Sequence, residues 1–168
     1  EGERSWRHAG RRESGRARRG VSAARQPARP GLKCWVTSST LAAAETFEKN
    51  LPPRTLHQFL PLDTPLYTKR FLDHWQPNLA LWSEQDIWPG IVTQAARRRI
   101  PQALINLRMA PASFRRKRMA RLLFRALYQK FDLISAQDAQ SAAAVTDLSQ
   151  RQDIQIGGSL KPHCPPLA

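Results

Sequence analysis

Leu79-Ala80-Leu81-Trp82-Ser83-Glu84-Gln85-Asp86-Ile87-Trp88-Pro89-Gly90 is the stretch on which the fold turns. Its first four residues form a continuous apolar run. Four residues are too few for a buried helix but enough for a strand covered on both faces. A short polar link follows, and Trp88-Pro89 opens a helix that the pattern carries to Arg99. A doubly covered strand that feeds a helix through a short loop is half of a parallel βαβ unit.

Reading outward from it, the same alternation repeats. Leu32–Ser38 reads as a strand and Leu41–Lys49 as an Ala-rich helix closed by Pro52-Pro53. Leu56–Leu60 reads as a second strand. Thr64-Pro65 reads as a helix start, with Tyr67, Phe71, Leu72 and Trp75 on one face and Pro77 as the stop. Downstream, Ala103–Ile105, Asp132–Ser135 and Ile154–Ile156 read as strands. A long helix over Ala112–Lys130 and an Ala-rich helix ending at Leu148 separate them. Five alternations with short links predict an α/β fold, a Rossmann-like, mostly parallel sheet with helices on both faces, over residues 31–161.

Composition frames this domain. The chain has 168 residues, with 27 Lys+Arg against 13 Asp+Glu and a net charge of +14. Such a balance points to an anionic partner: phosphate, nucleic acid or an anionic membrane surface. Residues 1–30 hold nine Arg and almost no large apolar side chain, so they are expected to be a disordered or aberrant Arg-rich segment. Residues 162–168 read as the start of a linker. Cys34 and Cys164 are too few for a disulfide framework, and His163 beside Cys164 is too little for a zinc site. No run of 18 apolar residues offers a membrane span.

In a parallel sheet, ligands gather beyond the carboxyl ends of the strands. That rule picks out Glu84 and Asp86 after the strand at 79–82, Arg108 after the strand at 103–105, and Ser159 and Lys161 after Gly157-Gly158. On spacing alone, Asp86 reads sooner as a helix cap with Glu84 in a solvated loop, and Arg108 sooner as an ordinary surface cation. Residues 97–130 carry eleven Lys+Arg and no acid. On the long helix, Met119, Leu122, Leu123, Ala126 and Leu127 are expected to face the core. Lys117, Arg118, Arg121 and Arg125 then form a cationic outer stripe suited to phosphate headgroups or nucleic acid.

The landmarks also line up as an ordered set. They are His57-Gln58-Phe59-Leu60-Pro61-Leu62-Asp63-Thr64-Pro65, Arg70-Phe71-Leu72-Asp73-His74-Trp75-Gln76-Pro77, Glu84-Gln85-Asp86-Ile87-Trp88-Pro89, Asn106-Leu107-Arg108 with Ser113-Phe114, Ala136-Gln137-Asp138 and Gly158-Ser159-Leu160-Lys161. Over residues 32–161 this set resembles the N-terminal domain of the bacterial 3-deoxy-D-manno-octulosonic acid (Kdo) transferases. The resemblance implies the first half of a GT-B glycosyltransferase, which moves Kdo from CMP-Kdo to the phosphorylated lipid A precursor at the cytoplasmic face of the inner membrane. It implies no cofactor and no metal. The acceptor and an anionic membrane surface are the implied partners, with no nucleic acid.

Carried over residue by residue, Glu84 and Lys161 match positions assigned to transition-state stabilisation; Arg108, Asp86 and Ser159, at the same strand ends, are the expected substrate contacts. Asp86 stands in place of the family's second Glu, and Gly90 where Asn is usual. The family's base-bearing G-E pair is not reproduced in His8-Ala9-Gly10-Arg11-Arg12-Glu13, so no base is assigned to Glu13. The donor-binding domain is expected to be absent, leaving a fragment inactive alone. A basic nucleic-acid-binding or anionic-membrane-binding module is the alternative.

Overall fold

A computed structural model describes residues 4–9, 33–48, 55–85 and 87–160. The strands are β1 (Arg4–Ala9), β2 (Lys33–Ser38), β3 (Thr55–Phe59), β4 (Leu79–Ser83), β5 (Gln102–Leu107), β6 (Leu133–Ala136) and β7 (Gln155–Ile156). The helices are α1 (Leu41–Glu48), α2 (Pro65–Trp75), α3 (Pro89–Arg97), α4 (Pro111–Met119), α5 (Arg121–Tyr128) and α6 (Ala139–Ser149). All strand pairs are parallel, in the order β3-β2-β1-β4-β5-β6-β7. The α/β fold expected from the apolar alternation is therefore the fold of the chain.

One expectation fails at the N-terminus. Arg4–Ala9 falls in the segment whose composition predicts disorder, yet it is a strand near the middle of the sheet, paired with β2 on one side and β4 on the other. Its backbone bonds come from two neighbours distant in sequence, a tertiary supply that local composition does not reveal. Residues 10–32 lie outside the described residues, as do 161–168.

The core lies on one face. Ala80 and Trp82 of β4, Leu104 of β5 and Ile134 and Ala136 of β6 meet Ile91, Val92 and Ala95 of α3, Leu127 and Tyr128 of α5, and Val145 and Leu148 of α6. In β2, Trp35 joins that cluster. Cys34 and Val36 point the other way and are also buried, on the side where α1 lies against β2 and β3. A fully buried glutamine fixes the register of β5. The Gln102 side-chain amide accepts from Trp82 Nε1 (3.0 Å) and donates to the carbonyls of Val92 (3.1 Å) and Lys130 (3.3 Å). Its backbone N–H donates to Asp132 Oδ2 (2.7 Å), and Asp132 N–H donates back to its carbonyl (2.8 Å). Every polar atom of a buried group is thus satisfied, which is what keeps a glutamine tolerable there.

The long helix expected over Ala112–Lys130 is two helices broken at Ala120, whose φ/ψ of −112°/38° leaves the helical region. The break rotates the faces. Leu127 is buried as expected, but Met119, Leu122 and Leu123 are 91, 81 and 57 % exposed. Two cations of the expected outer stripe are engaged by the body of the domain instead. Arg121 reaches α6, donating to the Asp147 carbonyl at 3.0 Å with Asp147 Oδ1 at 3.6 Å. Lys117 Nζ lies 3.2 Å from Tyr128 Oη and 5.1 Å from the Phe124 ring centroid.

Burial disfavours the Lys117 ammonium more than the rings favour it, and Arg116 adds repulsion, so its pKa falls from 10.5 to about 8. The unfolded chain then binds more protons than the folded one between these values, and stability rises with pH across that window. Burial pushes the Tyr128 hydroxyl upward, so above its ordinary 10.0 the folded state holds a proton the unfolded state has lost, and stability falls again. Denaturant unfolding from pH 7 to 10 should show the rise. Lys117→Met should flatten it and raise stability at pH 7; a rise that survives in Lys117→Met would refute this assignment.

Candidate functional site

The sheet order reverses between β1 and β4: the chain winds outward through β2 and β3, then crosses back to continue from β4. Such a switch point opens a crevice at the carboxyl ends of the two strands. Glu84 is the first residue after β4, at that position. It holds a left-handed φ of 62°, and its N–H extends the ladder to the Ile105 carbonyl at 3.0 Å. A non-glycine residue in this region carries strain of about 1 kcal/mol, a cost that structures tolerate where a side chain must be aimed. The Glu84 side chain is half-buried.

β5 ends in a distortion that builds the rest of the edge. Its register with β6 shifts between Leu104 and Leu107, and Asn106 has φ 55°. The shift lets both Leu104 and Leu107 enter the core and turns Asn106 off it. Asparagine suits the position because its short polar side chain tolerates left-handed backbone. Asn106 Oδ1 accepts from Leu160 N–H at 3.1 Å, which ties the segment after β7 to the end of β5. Its carbonyl accepts from Gln137 Nε2 at 3.0 Å, which ties β6 to the same point. Gln85 Nε2 donates to the Arg108 carbonyl, linking the loops after β4 and β5.

The loop after β5 is braced from α6. Met109 N–H donates to Ser141 Oγ at 2.8 Å, and Ser141 N–H donates to Asp138 Oδ1 at 2.7 Å, the N-cap of α6. The Ser141 backbone N–H and then its hydroxyl hold the Asp138 carboxyl below the usual carboxylate range, and the charge of Arg108 adds to them. Arg108 itself is exposed to solvent. Gly157 N–H donates to the Ala136 carbonyl at 2.9 Å, and Gly158 has φ 71°, so the glycine after it makes the turn that a side chain would strain. Ser159 follows, half-buried.

Of the residues singled out from the sequence, Glu84, Arg108 and Ser159 therefore share one edge, the carboxyl ends of β4, β5 and β7. Asp86 and Lys161 lie outside the described residues. Two buried atoms at this edge, Ser83 Oγ and Asn106 Nδ2, have no hydrogen-bond partner among the described residues. Buried hydrogen-bonding groups left this way are costly, so a polar group brought to this edge would find a donor ready for it. Below them, Leu79, Leu81, Ala103, Ile105 and Leu133 line a groove of about 330 Å³ with Asn106, Ser135 and Gly157 at its polar end. Among the described residues, no group of three or more His, Cys, Asp or Glu is placed to hold a metal ion.

Sequence reasoning missed Asp63 as a positioning residue. Its carboxylate accepts from the N–H groups of Gly90 and Ile91, both at 2.8 Å, and so closes the N-terminus of α3 that follows Glu84. A Cβ on Gly90 would stand 2.5 Å from Asp63 Oδ1, so a glycine is what lets this carboxylate approach. The expected Thr64 cap on α2 is not made by its side chain; the Thr64 carbonyl instead accepts from Thr68 Oγ1 at 2.8 Å.

Residues 6–164 match the family model of 3-deoxy-D-manno-octulosonic-acid transferase (kdotransferase). A probable mitochondrial 3-deoxy-D-manno-octulosonic acid transferase of Arabidopsis thaliana is 42 % identical over 106 residues, covering 62 % of this chain and 24 % of that protein. A 3-deoxy-D-manno-octulosonic acid transferase of Rickettsia felis is 30 % identical over 128 residues, covering 76 % and 27 %. The chain thus spans about a quarter of the length of these curated relatives. Among solved structures, a UDP-N-acetylglucosamine 2-epimerase has a TM-score of 0.65 at 11 % identity, covering 96 % of this chain and 49 % of its own. The UDP-N-acetylglucosamine 2-epimerase of Rickettsia bellii gives 0.62 at 12 %, covering 96 % and 46 %. These two likenesses are of fold.

Removing the Asn106 amide leaves the Leu160 N–H without its acceptor. Asn106→Ala should lower stability by about 1–3 kcal/mol and speed hydrogen exchange at the Leu160 amide above that of the β5 core. Unchanged exchange at Leu160 would show that the segment is held by something else.

Proposed function

The chain belongs to the Kdo transferase family, and on that premise we propose that it forms the acceptor-side wall of a glycosyltransferase that moves Kdo from CMP-Kdo to the phosphorylated lipid A precursor. The observation that supports this reading best is the position of Glu84. It follows the strand at the switch point of the sheet, in a strained conformation, with the Arg108 loop bonded to its neighbour Gln85.

In the proposed reaction an acceptor hydroxyl oxygen attacks the anomeric carbon of Kdo. The bond from that carbon to the CMP phosphate breaks, its electron pair leaves with CMP, and the hydroxyl proton passes to a base. The anomeric centre is inverted and no covalent enzyme intermediate forms. Glu84 orients the acceptor or stabilises positive character on the sugar. Lys161 offsets the negative charge that develops on the departing phosphate. Arg108, exposed at the same edge, takes an acceptor phosphate, with Ser159 and Asp86 as further polar contacts. The cationic role falls to Lys161, so the scheme calls for no metal and no cofactor. The work is done at the cytoplasmic face of a bacterial inner membrane, where such an acceptor is presented. Transfer needs the donor held against this wall as well as the acceptor.

Titration with phosphorylated and dephosphorylated lipid A precursor in matched detergent micelles tests the reading. The phosphorylated form should bind more tightly, and Arg108→Ala should weaken it about tenfold, the worth of one charge-assisted contact. In a chimera completed by the remaining length of a relative, Glu84→Gln should lower kcat by about a hundredfold or more with KM little changed. Equal binding of both forms, or a chimera indifferent to Glu84→Gln, would overturn it.

A further inference from the structure

The break at Ala120 leaves one amine in a place that lysine rarely occupies. Lys117 stands on the last turn of α4 and reaches across the break to α5. Its Nζ lies 3.2 Å from Tyr128 Oη, 5.1 Å from the Phe124 ring centroid and 5.8 Å from the Tyr128 ring centroid. The side chain is half-buried, so the amine sits in an aromatic cleft that still meets water.

Among the described residues no carboxylate pairs with it. Positions 97–130 hold no acid. Asp147 of the neighbouring α6 is taken by Arg121, and Arg151, beyond α6, turns to Asp153 and to the carbonyls of Tyr128 and Phe131. What faces Lys117 is therefore Arg116 on its own helix and, from α5, the Tyr128 hydroxyl, which burial keeps protonated. By contrast, Lys69 is paired with Asp73 at 2.6 Å. A desolvated ammonium beside a guanidinium releases its proton readily, and the Lys117 pKa falls to about 8. A lysine in this state is a nucleophile near neutral pH.

The mouth of the cleft selects the electrophile. Arg116 and Arg118 flank Lys117 in sequence, and both are exposed. Such a rim draws anions, and guanidinium groups match phosphate with paired hydrogen bonds. We propose that Lys117 is an acylation site that takes its acyl group from a small acyl phosphate, with Arg116 and Arg118 holding the phosphate while the amine meets the acyl carbon. The nitrogen lone pair attacks that carbon and an N–C bond forms. The C–O bond to phosphate breaks, its electron pair leaves with the phosphate, and the amine proton goes with it as hydrogen phosphate. The product is an uncharged amide, so the cleft loses its desolvated charge and acylation stabilises the α4–α5 pair. α4 starts three residues after Arg108, so the modified corner adjoins the edge that carries the candidate site. The inference rests on α4 and α5 and does not depend on which sugar is transferred.

Treatment of the full chain with acetyl phosphate near neutral pH, followed by peptide mass spectrometry, tests it. Lys117 should be acetylated at least about fivefold faster than the exposed Lys33 and Lys69, because a lowered basicity raises the neutral fraction of an amine more than it reduces nucleophilicity. In urea, where the cleft is gone, the three should react alike. The Lys117 rate should level off above about pH 8, where the amine is already neutral. R116Q/R118Q should slow acetyl phosphate at least about threefold more than it slows the uncharged reagent N-hydroxysuccinimidyl acetate, since a general loss of amine reactivity is common to both. Lys117 reacting no faster than Lys33 and Lys69 in the folded chain would overturn the site. Equal slowing of both reagents by R116Q/R118Q would overturn the acyl phosphate as its donor.

Discussion

The edge that carries the candidate chemistry hangs on Asn106. Its left-handed backbone shifts the register of β5 against β6, and that one irregularity decides what the neighbouring loops do. Leu107 enters the core in its place. The freed amide holds the segment after β7 through Leu160, and its carbonyl holds β6 through Gln137. Without the shift, β5 would end as a regular strand and the segments after β6 and β7 would lose their common anchor. Buried hydrogen bonds are strongest where water is excluded, so one residue bonded through its side-chain oxygen and its backbone carbonyl can position two loops. The same economy appears at Gln102, which locks β4, β5 and the approach to β6 at the opposite end of the sheet.

Charge is handled in three ways. At the switch point, negative and positive groups alternate along the edge: Glu84, Arg108 and Asp138 follow three adjacent strands, and Asp138 feels the charge of Arg108. On α4 and α5 the charge is cationic throughout, and the break at Ala120 sorts it between packing and solvent. Asp63 adds a third use, turning a carboxylate toward the N-terminus of α3 across 27 residues of sequence. In each case a group distant in sequence sets the position of one near the site.

What the sequence made legible was whatever is decided locally. The apolar run Leu79–Trp82, the Pro89 helix start and the strand-then-loop positions of Glu84, Arg108 and Ser159 follow from burial and proline geometry within a few residues. What it concealed was decided at a distance. Arg4-Ser5-Trp6-Arg7-His8-Ala9 carries no strand signal, and becomes one because β2 and β4 supply both rows of hydrogen bonds. The break at Ala120 has no local mark, alanine being the best helix former, and it inverted the assignment of Met119, Leu122 and Leu123. Asn106 and Asp63 looked like ordinary loop residues because their partners lie 54 and 27 positions away.

The central claim is that the carboxyl ends of β4, β5 and β7 form one binding edge. The most direct measurement is backbone amide NMR of the chain in detergent micelles, comparing shifts with and without the phosphorylated lipid A precursor at equal detergent. The account predicts precursor-dependent shifts at Glu84 and Gln85, at Asn106 to Met109 and at Gly157 to Leu160, together and with one saturation curve. Shifts confined to the amino ends of the strands, or different saturation curves for the three segments, would contradict it.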